Sequence, residues 1–155
     1  MSDKDIVAEE MAEKIDLAGD ALAEDADGIL HLIGTLCRDC DTRLFPPVEI
    51  CPECLSEELA PVALSQHGTL YSWSVVHVAP KGWRLPYIAG YVDLPDGVRV
   101  FAHIVGAASD ALAFDMAVEL CRAELGTGED GRPVESYAFT PAATPSATPS
   151  ATPAA

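Results

Sequence analysis

The stretch CRDCDTRLFPPVEICPEC, residues 37–54, contains two pairs of cysteines. Two residues separate the members of each pair, and ten residues separate the pairs. A two-residue gap lets both sulfurs of a pair face one point, and two such pairs joined by a short hairpin complete the tetrahedron that zinc prefers. The spacing therefore predicts one bound metal ion, with the four thiolate ligands Cys37, Cys40, Cys51 and Cys54.

Four thiolates leave no open position for water, so this ion is predicted to be structural rather than catalytic. Zinc is the first candidate, iron held as in rubredoxin is an alternative, and a pair of disulfides is a weaker one. Asp41 follows the first pair, where glycine is frequent, and aspartate tolerates the left-handed conformation moderately well. Phe45-Pro46-Pro47 is expected to shape the hairpin and could cover the site with an aromatic ring.

The composition indicates a soluble globular chain and excludes some partners. Of 155 residues, 25 are acidic and nine are Lys or Arg, giving a formal net charge of −16. Such a chain repels phosphate backbones and anionic membranes. No apolar stretch approaches the length of a membrane helix, and the acidic N-terminus does not resemble a signal peptide. We therefore expect a cytoplasmic protein with reduced thiols.

Residues 5–24 are predicted to form an amphipathic helix, ended by the turn residues of 25–28. This helix would either pack on its own domain or dock on a partner, and the sequence leaves both open. Its opposite face is mostly acidic, and its apolar stripe recurs at spacings of three and four: Val7, Met11, Ile15, Ala18 and Leu22.

Beyond the cysteines, the pattern favours short β-strands. Residues 68–78 are predicted to form a strand with Leu70, Ser72, Ser74 and Val76 on one face and Tyr71, Trp73, Val75 and His77 on the other. Further strands are predicted over 87–93, 98–105, 116–123 and 135–140, with a short helical turn near 107–114. Leu94-Pro-Asp-Gly97 is typical of a tight hairpin turn in which Gly97 takes a positive φ. Five or six short strands with close turns indicate a small antiparallel barrel.

The predicted fold is therefore mainly β, and four segments are expected. They are an N-terminal amphipathic helix (1–28), a zinc ribbon (29–60), a barrel (61–140) and a disordered tail rich in Thr, Pro, Ala and Ser (141–155). In the tail every fourth residue is a proline, and this spacing prevents both helix and sheet.

Several runs together resemble a family of acyl-CoA-associated proteins. These runs are the paired cysteines around FPP, then GTLYSWSVVH, YVDLPDGVR and a closing Y-x-F, and they cover about residues 29–140. The resemblance implies an N-terminal helix, a rubredoxin-like zinc ribbon and a C-terminal OB-fold barrel. It also implies a non-catalytic subunit that bridges or stabilises a thiolase-like or acyl-CoA hydratase-like enzyme and helps to form its CoA passage. Members of this family serve aromatic, steroid and related acyl-CoA metabolism.

A few residues outside the cysteine pairs are candidates for ligand contact or catalysis. In the loop 79–87, Trp83 could stack on adenine while Lys81 and Arg84 meet phosphates of CoA; the alternative is an ordinary surface loop. Cys121 and the histidines at 31, 67, 77 and 103 carry no signature of a nucleophile and base. Three other functions stay open: a nucleic-acid-binding ribbon–barrel protein, a small electron-transfer protein, and an independent acyl-CoA enzyme that uses Cys121 or His77.

Overall fold

The computed structural model describes residues 14–142. Its regular secondary structure is almost entirely β-strand, which confirms the mainly β prediction. Its two helical segments are single 3-10 turns, at Gly19–Ala21 and Ser109–Ala111. Neither segment is long and apolar enough to cross a membrane.

The strands fall into two groups, one before residue 64 and one after residue 66, apart from the first strand. They are β1 Ile15–Asp16, β2 Leu22–Glu24, β3 Leu30–Cys37, β4 Arg43–Leu44, β5 Leu59–Ala63, β6 His67–Val76, β7 Tyr87–Asp93, β8 Arg99–Ile104, β9 Ala117–Thr127 and β10 Pro133–Pro141.

The later strands close into a five-stranded barrel. Around the ring, β6 pairs with β7, β7 with β8, β8 with β10, β10 with β9, and β9 returns to β6. All these pairings are antiparallel except β8 with β10, which run parallel. The predicted barrel is thus confirmed, although one of its contacts is not antiparallel. A closed ring of this kind leaves no unpaired edge along the barrel.

The turn between β7 and β8 forms as predicted. Gly97 has a φ of 88° and its N–H donates to the carbonyl oxygen of Leu94 at 3.0 Å. The N–H of Leu94 donates to the carbonyl oxygen of Val98 at 2.9 Å. This turn sets Asp93 opposite Arg99 and Tyr91 opposite Phe101, and that register places their side chains on the outer face of the barrel.

The predicted alternation of faces along β6 is wrong beyond Leu70. The register with β7 shifts between Leu70 and Ser72, because Tyr71 is the extra residue of a β-bulge. Leu70 is fully buried and Trp73, three residues later, also packs against the core, whereas Tyr71 is exposed. A bulge moves every following side chain to the opposite face, which a simple period of two does not anticipate.

The predicted N-terminal helix is also wrong for the part that the structure describes. Residues 14–24 form a short strand, a 3-10 turn and a second short strand. The carboxylate of Asp16 accepts hydrogen bonds from the N–H groups of Ala18 and Gly19, at 2.9 and 3.2 Å, and Gly19 has a φ of +53°. An aspartate that bonds the backbone locally competes with helix formation. Residues 5–13 of the predicted helix lie outside the described residues.

The apolar positions of that segment are nevertheless used. Ile15 pairs with Val134 on β10, and Leu22 pairs with Leu32 on β3. Ala18 and Leu22 join the buried core. Spacings of three and four fit a helix, but here a turn between two short strands brings Ala18 and Leu22 to the core while Ile15 pairs with β10.

The ribbon is built on β3, which pairs with β2, β4 and β5. Its buried Leu32 belongs to the same core as the barrel's Leu70, Val92 and Phe139. The ribbon and the barrel therefore share one hydrophobic core, so that disturbing one is expected to affect the other. Of the predicted tail, Pro141 ends β10 and Ala142 bonds to β9; residues 143–155 lie outside the described part.

Candidate metal centre and barrel surface

The two cysteine pairs lie on two turns with the same backbone pattern. In the first, the N–H of Cys37 donates to Thr42 and the N–H of Asp41 donates to Cys37. In the second, Cys51 donates to Ser56 and Leu55 donates to Cys51. These bonds, all 2.8–2.9 Å long, curl each turn so that both its sulfurs face the other turn.

The four sulfurs lie close enough to hold one metal ion. All four lie within 4.8 Å of one another. Cys37 Sγ is 3.6 Å from Cys54 Sγ, and Cys40 Sγ is 3.6 Å from Cys51 Sγ. A tetrahedral zinc site with bonds of about 2.3 Å has sulfurs roughly 3.8 Å apart. The arrangement thus fits a four-thiolate metal ion, and it brings together all four cysteines that the sequence predicted.

The surroundings act in opposite directions on the two exposed sulfurs. Despite a backbone hydrogen bond from Ser56, burial and the three other thiols raise the pKa of Cys54 to about 12, whereas the pKa of Cys40 is lowered. Cys37 and Cys51 are fully buried, while Cys40 and Cys54 lie at the surface. The hydroxyl of Thr42 lies 3.1 Å from Cys40 Sγ and, together with a backbone hydrogen bond from Thr42, lowers the pKa of Cys40 to about 7. The N–H of Glu53 donates to Cys51 Sγ at 3.4 Å. A thiolate is the form that binds a metal.

Each turn passes through the left-handed region at the residue after its second cysteine. Asp41 has a φ of 64° and Leu55 a φ of 65°. The expectation for Asp41 is therefore confirmed. Leu55 has a bulky side chain that is 75% exposed. Its left-handed backbone conformation is therefore imposed by the turn and not by burial of the side chain.

Replacing Leu55 by glycine is expected to stabilise the protein. A residue with a Cβ pays on the order of 1 kcal/mol for a left-handed conformation, and little burial is lost at this exposed position. Leu55→Ala is the matched control, because it shortens the side chain but keeps the Cβ. Chemical denaturation should give Leu55→Gly about 0.5–1 kcal/mol more stability than Leu55→Ala. Equal stabilities of the two variants would show that the turn is not strained.

Phe45 connects the ribbon to the barrel. Its ring packs edge-on against Tyr137 of β10, with ring centroids 5.8 Å apart. The Tyr137 hydroxyl donates to the carbonyl oxygen of Phe101 on β8 at 3.1 Å. The segment between the cysteine pairs therefore reaches the barrel.

The loop of Lys81, Trp83 and Arg84 lies along β9. Trp83 forms a β-bridge with Gly126, and its ring stacks on His103 at 5.5 Å. Arg84 donates to the carbonyl oxygen of Glu124 at 3.1 Å. Lys81 lines an open cleft of about 530 Å³ together with Glu129. The loop thus holds Trp83 against the barrel and presents Lys81 outward.

Cys121 and the histidines do not form a nucleophile–base arrangement in the described structure. Burial, and then the charge of Glu119, raises the pKa of the Cys121 thiol, the opposite of what a reactive thiolate needs. His31 bonds the carbonyl oxygen of Leu64 and the carboxylate of Asp25, at 3.0 and 3.1 Å. His77 is exposed beyond the end of β6.

His103 is expected to make the protein less stable in mild acid. Its ring stacks on Trp83 and Tyr87, and burial lowers its pKa. Its buried Nε2 has no hydrogen-bond partner within residues 14–142. The unfolded chain therefore binds a proton first, and stability falls as the pH drops below about 6.5. His103→Phe keeps an aromatic ring and removes the proton site. Urea denaturation from pH 8 to pH 5 should show a smaller loss for the variant than for the wild type. Identical losses would contradict the assignment.

A cluster of exposed aromatic rings was missed from the sequence. Tyr91 and Phe101 are adjacent on β7 and β8, with ring centroids 5.1 Å apart. The guanidinium of Arg99 lies 3.6 Å above the ring of Tyr71. We call Tyr71, Tyr91, Arg99 and Phe101 the aromatic face. The sequence feature that could have indicated this face is an aromatic residue at an outward position on each of the three neighbouring strands β6, β7 and β8.

Two family models match consecutive parts of the chain. Residues 26–60 match the ChsH2 rubredoxin-like zinc ribbon domain, and residues 61–122 match the ChsH2 C-terminal OB-fold domain. These matches agree with the cysteine cluster and the five-stranded barrel.

Individual proteins that are similar to this chain agree with the two family models. A benzoylsuccinyl-CoA thiolase subunit, BbsA, of Thauera aromatica is 39% identical over 77% of this chain and 83% of its own. A DUF35 domain-containing scaffold protein of Methanocaldococcus jannaschii is 38% identical, over 71% and 81% respectively. The solved structure of an Ltp2–ChsH2(DUF35) aldolase has a TM-score of 0.58 at 29% identity, over 72% of this chain and 84% of that one. The chain therefore belongs to the ChsH2 family of DUF35 proteins, in which a zinc ribbon precedes an OB-fold domain.

Proposed function

We propose that this chain is a non-catalytic, zinc-binding subunit of an acyl-CoA-transforming complex and that its partner is a thiolase-like enzyme. The observation that supports this most directly is its similarity, over most of both chains, to a thiolase subunit. The aldolase complex, whose ChsH2 chain has the same fold, supports it further. In this proposal the partner supplies the nucleophile, and this chain stabilises or shapes the CoA-ester site, in aromatic, steroid or related acyl-CoA degradation.

The metal in this proposal is one structural zinc ion bound by Cys37, Cys40, Cys51 and Cys54. The close sulfur cluster supports the ligand set, and four thiolates leave no position at which a substrate could bind the ion. Zinc would hold the two turns together and thereby fix the end of β3. Visible absorbance of the purified protein separates zinc, which is colourless, from iron in the same ligands.

A direct contact with CoA is the finer part of the proposal. Arg84 already bonds the backbone of β9, and Trp83 stacks on His103, so both are held in place. Lys81, at the mouth of its cleft, is the cation of this loop that is best placed for a phosphate of CoA. Trp83, which is half-buried, would then support the loop.

The test is an acyl-CoA cleavage or condensation assay with three samples: this chain, its thiolase-like partner, and both together. We expect no turnover by this chain alone and full turnover only by the mixture, because a closed metal site and an unactivated Cys121 offer no reactive group. Turnover by the isolated chain that is lost in Cys121→Ser would overturn the proposal in favour of an independent enzyme.

A further inference from the structure

The aromatic face is the clearest surface that neither the ribbon nor the barrel core uses. Tyr71, Tyr91 and Phe101 are 47%, 43% and 57% exposed. They lie on adjacent strands of a closed sheet. The rings of Tyr91 and Phe101 are in contact, and Arg99, on the same strand as Phe101, covers the ring of Tyr71. Exposed apolar surface of this kind usually marks an interaction site, and the Tyr, Phe and Arg side chains that compose it are enriched where interfaces bind most strongly.

The charges on this face disfavour a phosphate-bearing ligand. Arg99 is its cation, and its guanidinium donates to both carboxylate oxygens of Asp93, at 2.6 and 3.0 Å. Proteins that stack single-stranded nucleic acid on aromatic side chains combine them with a positively charged groove. This face has a neutralised arginine in a chain with a formal charge of −16. Its chemistry instead suits the surface of another protein.

The net charge also indicates whether the aromatic face binds a second copy of this chain or a different protein. Two copies of a chain with 25 acidic and nine basic residues repel each other. A partner with an apolar centre and a positively charged rim would be attracted. The backbone beneath Phe101 is also linked to the ribbon, because its carbonyl oxygen accepts a hydrogen bond from Tyr137, whose ring packs on Phe45.

We propose that Tyr71, Tyr91, Arg99 and Phe101 form the docking surface for the thiolase-like subunit, which presents an apolar patch with a basic rim. This inference rests on the proposed function, since it names a contact surface for the same partner. The two cross-strand neighbours, Tyr91 and Phe101, form the centre of the contact, while the Arg99–Asp93 pair orients the rim.

The experiment measures binding of the thiolase-like subunit that co-purifies with the tagged chain and is then produced separately. Tyr91→Thr and Phe101→Thr keep a residue suited to a strand, and each should weaken binding at least about 30-fold, as expected for a central interface residue. Phe114→Thr is the matched control: Phe114 is 71% exposed but packs on Trp73 instead, and its loss should change binding less than about threefold. Thermal unfolding confirms that each variant is folded, and Tyr71→Thr replaces any that is not.

The outcomes separate this inference from the proposed function. If the wild type binds the thiolase-like subunit and the face variants bind equally well, the docking surface is wrong but the subunit role stands. If no thiolase-like protein co-purifies, both fail. Tight binding of a fluorescent oligothymidylate that the face variants lose would assign the surface to nucleic acid. A dimer in light scattering that the same variants dissociate would assign it to a second copy. Either of the last two results overturns the inference.

Discussion

Replacing Cys51 by serine is expected to abolish metal binding and unfold the ribbon. Cys51 is fully buried and lies in the four-sulfur cluster. Structural zinc contributes roughly 10–16 kcal/mol to the folding of small zinc domains, which is comparable with the whole stability of an ordinary domain. Because Leu32 of the ribbon also belongs to the barrel core, the melting temperature of the entire chain should fall by more than about 10 °C.

Metal analysis and calorimetry of the same samples check this prediction. We expect about one zinc ion per wild-type chain and nearly none in Cys51→Ser. Cys121→Ser is the matched control, since Cys121 lies on β9 and is not one of the four clustered cysteines; it should keep the metal and most of the stability. A Cys51→Ser protein with an unchanged melting temperature and zinc content would exclude the four-cysteine site.

Replacing Phe139 by alanine is expected to have the largest effect in the barrel. Phe139 is the largest of the fully buried side chains and lies on β10, which contacts β8, β9 and β1. Truncating a buried phenylalanine removes its burial energy and leaves a cavity, at a cost of about 3–5 kcal/mol. Urea denaturation of the metal-loaded protein should show this loss.

A second phenylalanine provides the control. Phe101 lies on the adjacent strand β8 but faces solvent and is 57% exposed. In the isolated chain Phe101→Ala should change stability by less than about 0.5–1 kcal/mol. Equal losses for the two variants would mean that Phe139 does not occupy the centre of the core.

The sequence correctly predicted those elements whose local structure is determined by neighbouring residues. The cysteine spacing identified the cluster, because two C-x-x-C turns can face each other in few ways. The Leu94–Gly97 turn was predicted together with the strands on either side, because an Asp-Gly pair between alternating segments fixes both the turn and the register. Tyr87–Asp93 agrees residue for residue with the predicted strand.

The errors arose where tertiary contacts override a local pattern. Spacings of three and four between Ile15, Ala18 and Leu22 fit a helix, yet pairing of Ile15 with β10 and of Leu22 with β3 makes the segment extended. The bulge at Tyr71 depends on the partner strand, so it cannot be recognised from β6 alone. The parallel contact of β8 with β10 is likewise a property of the closed ring.

The aromatic face was missed for a related reason. Tyr71, Tyr91 and Phe101 stand far apart in the chain, and each is an ordinary strand residue by itself. Only the register of β6, β7 and β8 brings them together on one side of the sheet. In contrast, Lys81, Trp83 and Arg84 are close in sequence and form a visible cluster of cations beside an aromatic residue, although the structure holds two of them against β9 or His103.

The central claim is that this chain works as a zinc-containing subunit of a thiolase-like enzyme. Its most direct test is to tag the chain in its native host, purify it at moderate salt, and identify the proteins and metal that accompany it. We predict a thiolase-like protein in stoichiometric amount, together with one zinc ion per chain. A zinc protein that purifies alone and binds no acyl-CoA would contradict the account, leaving the family and fold intact but the proposed function wrong.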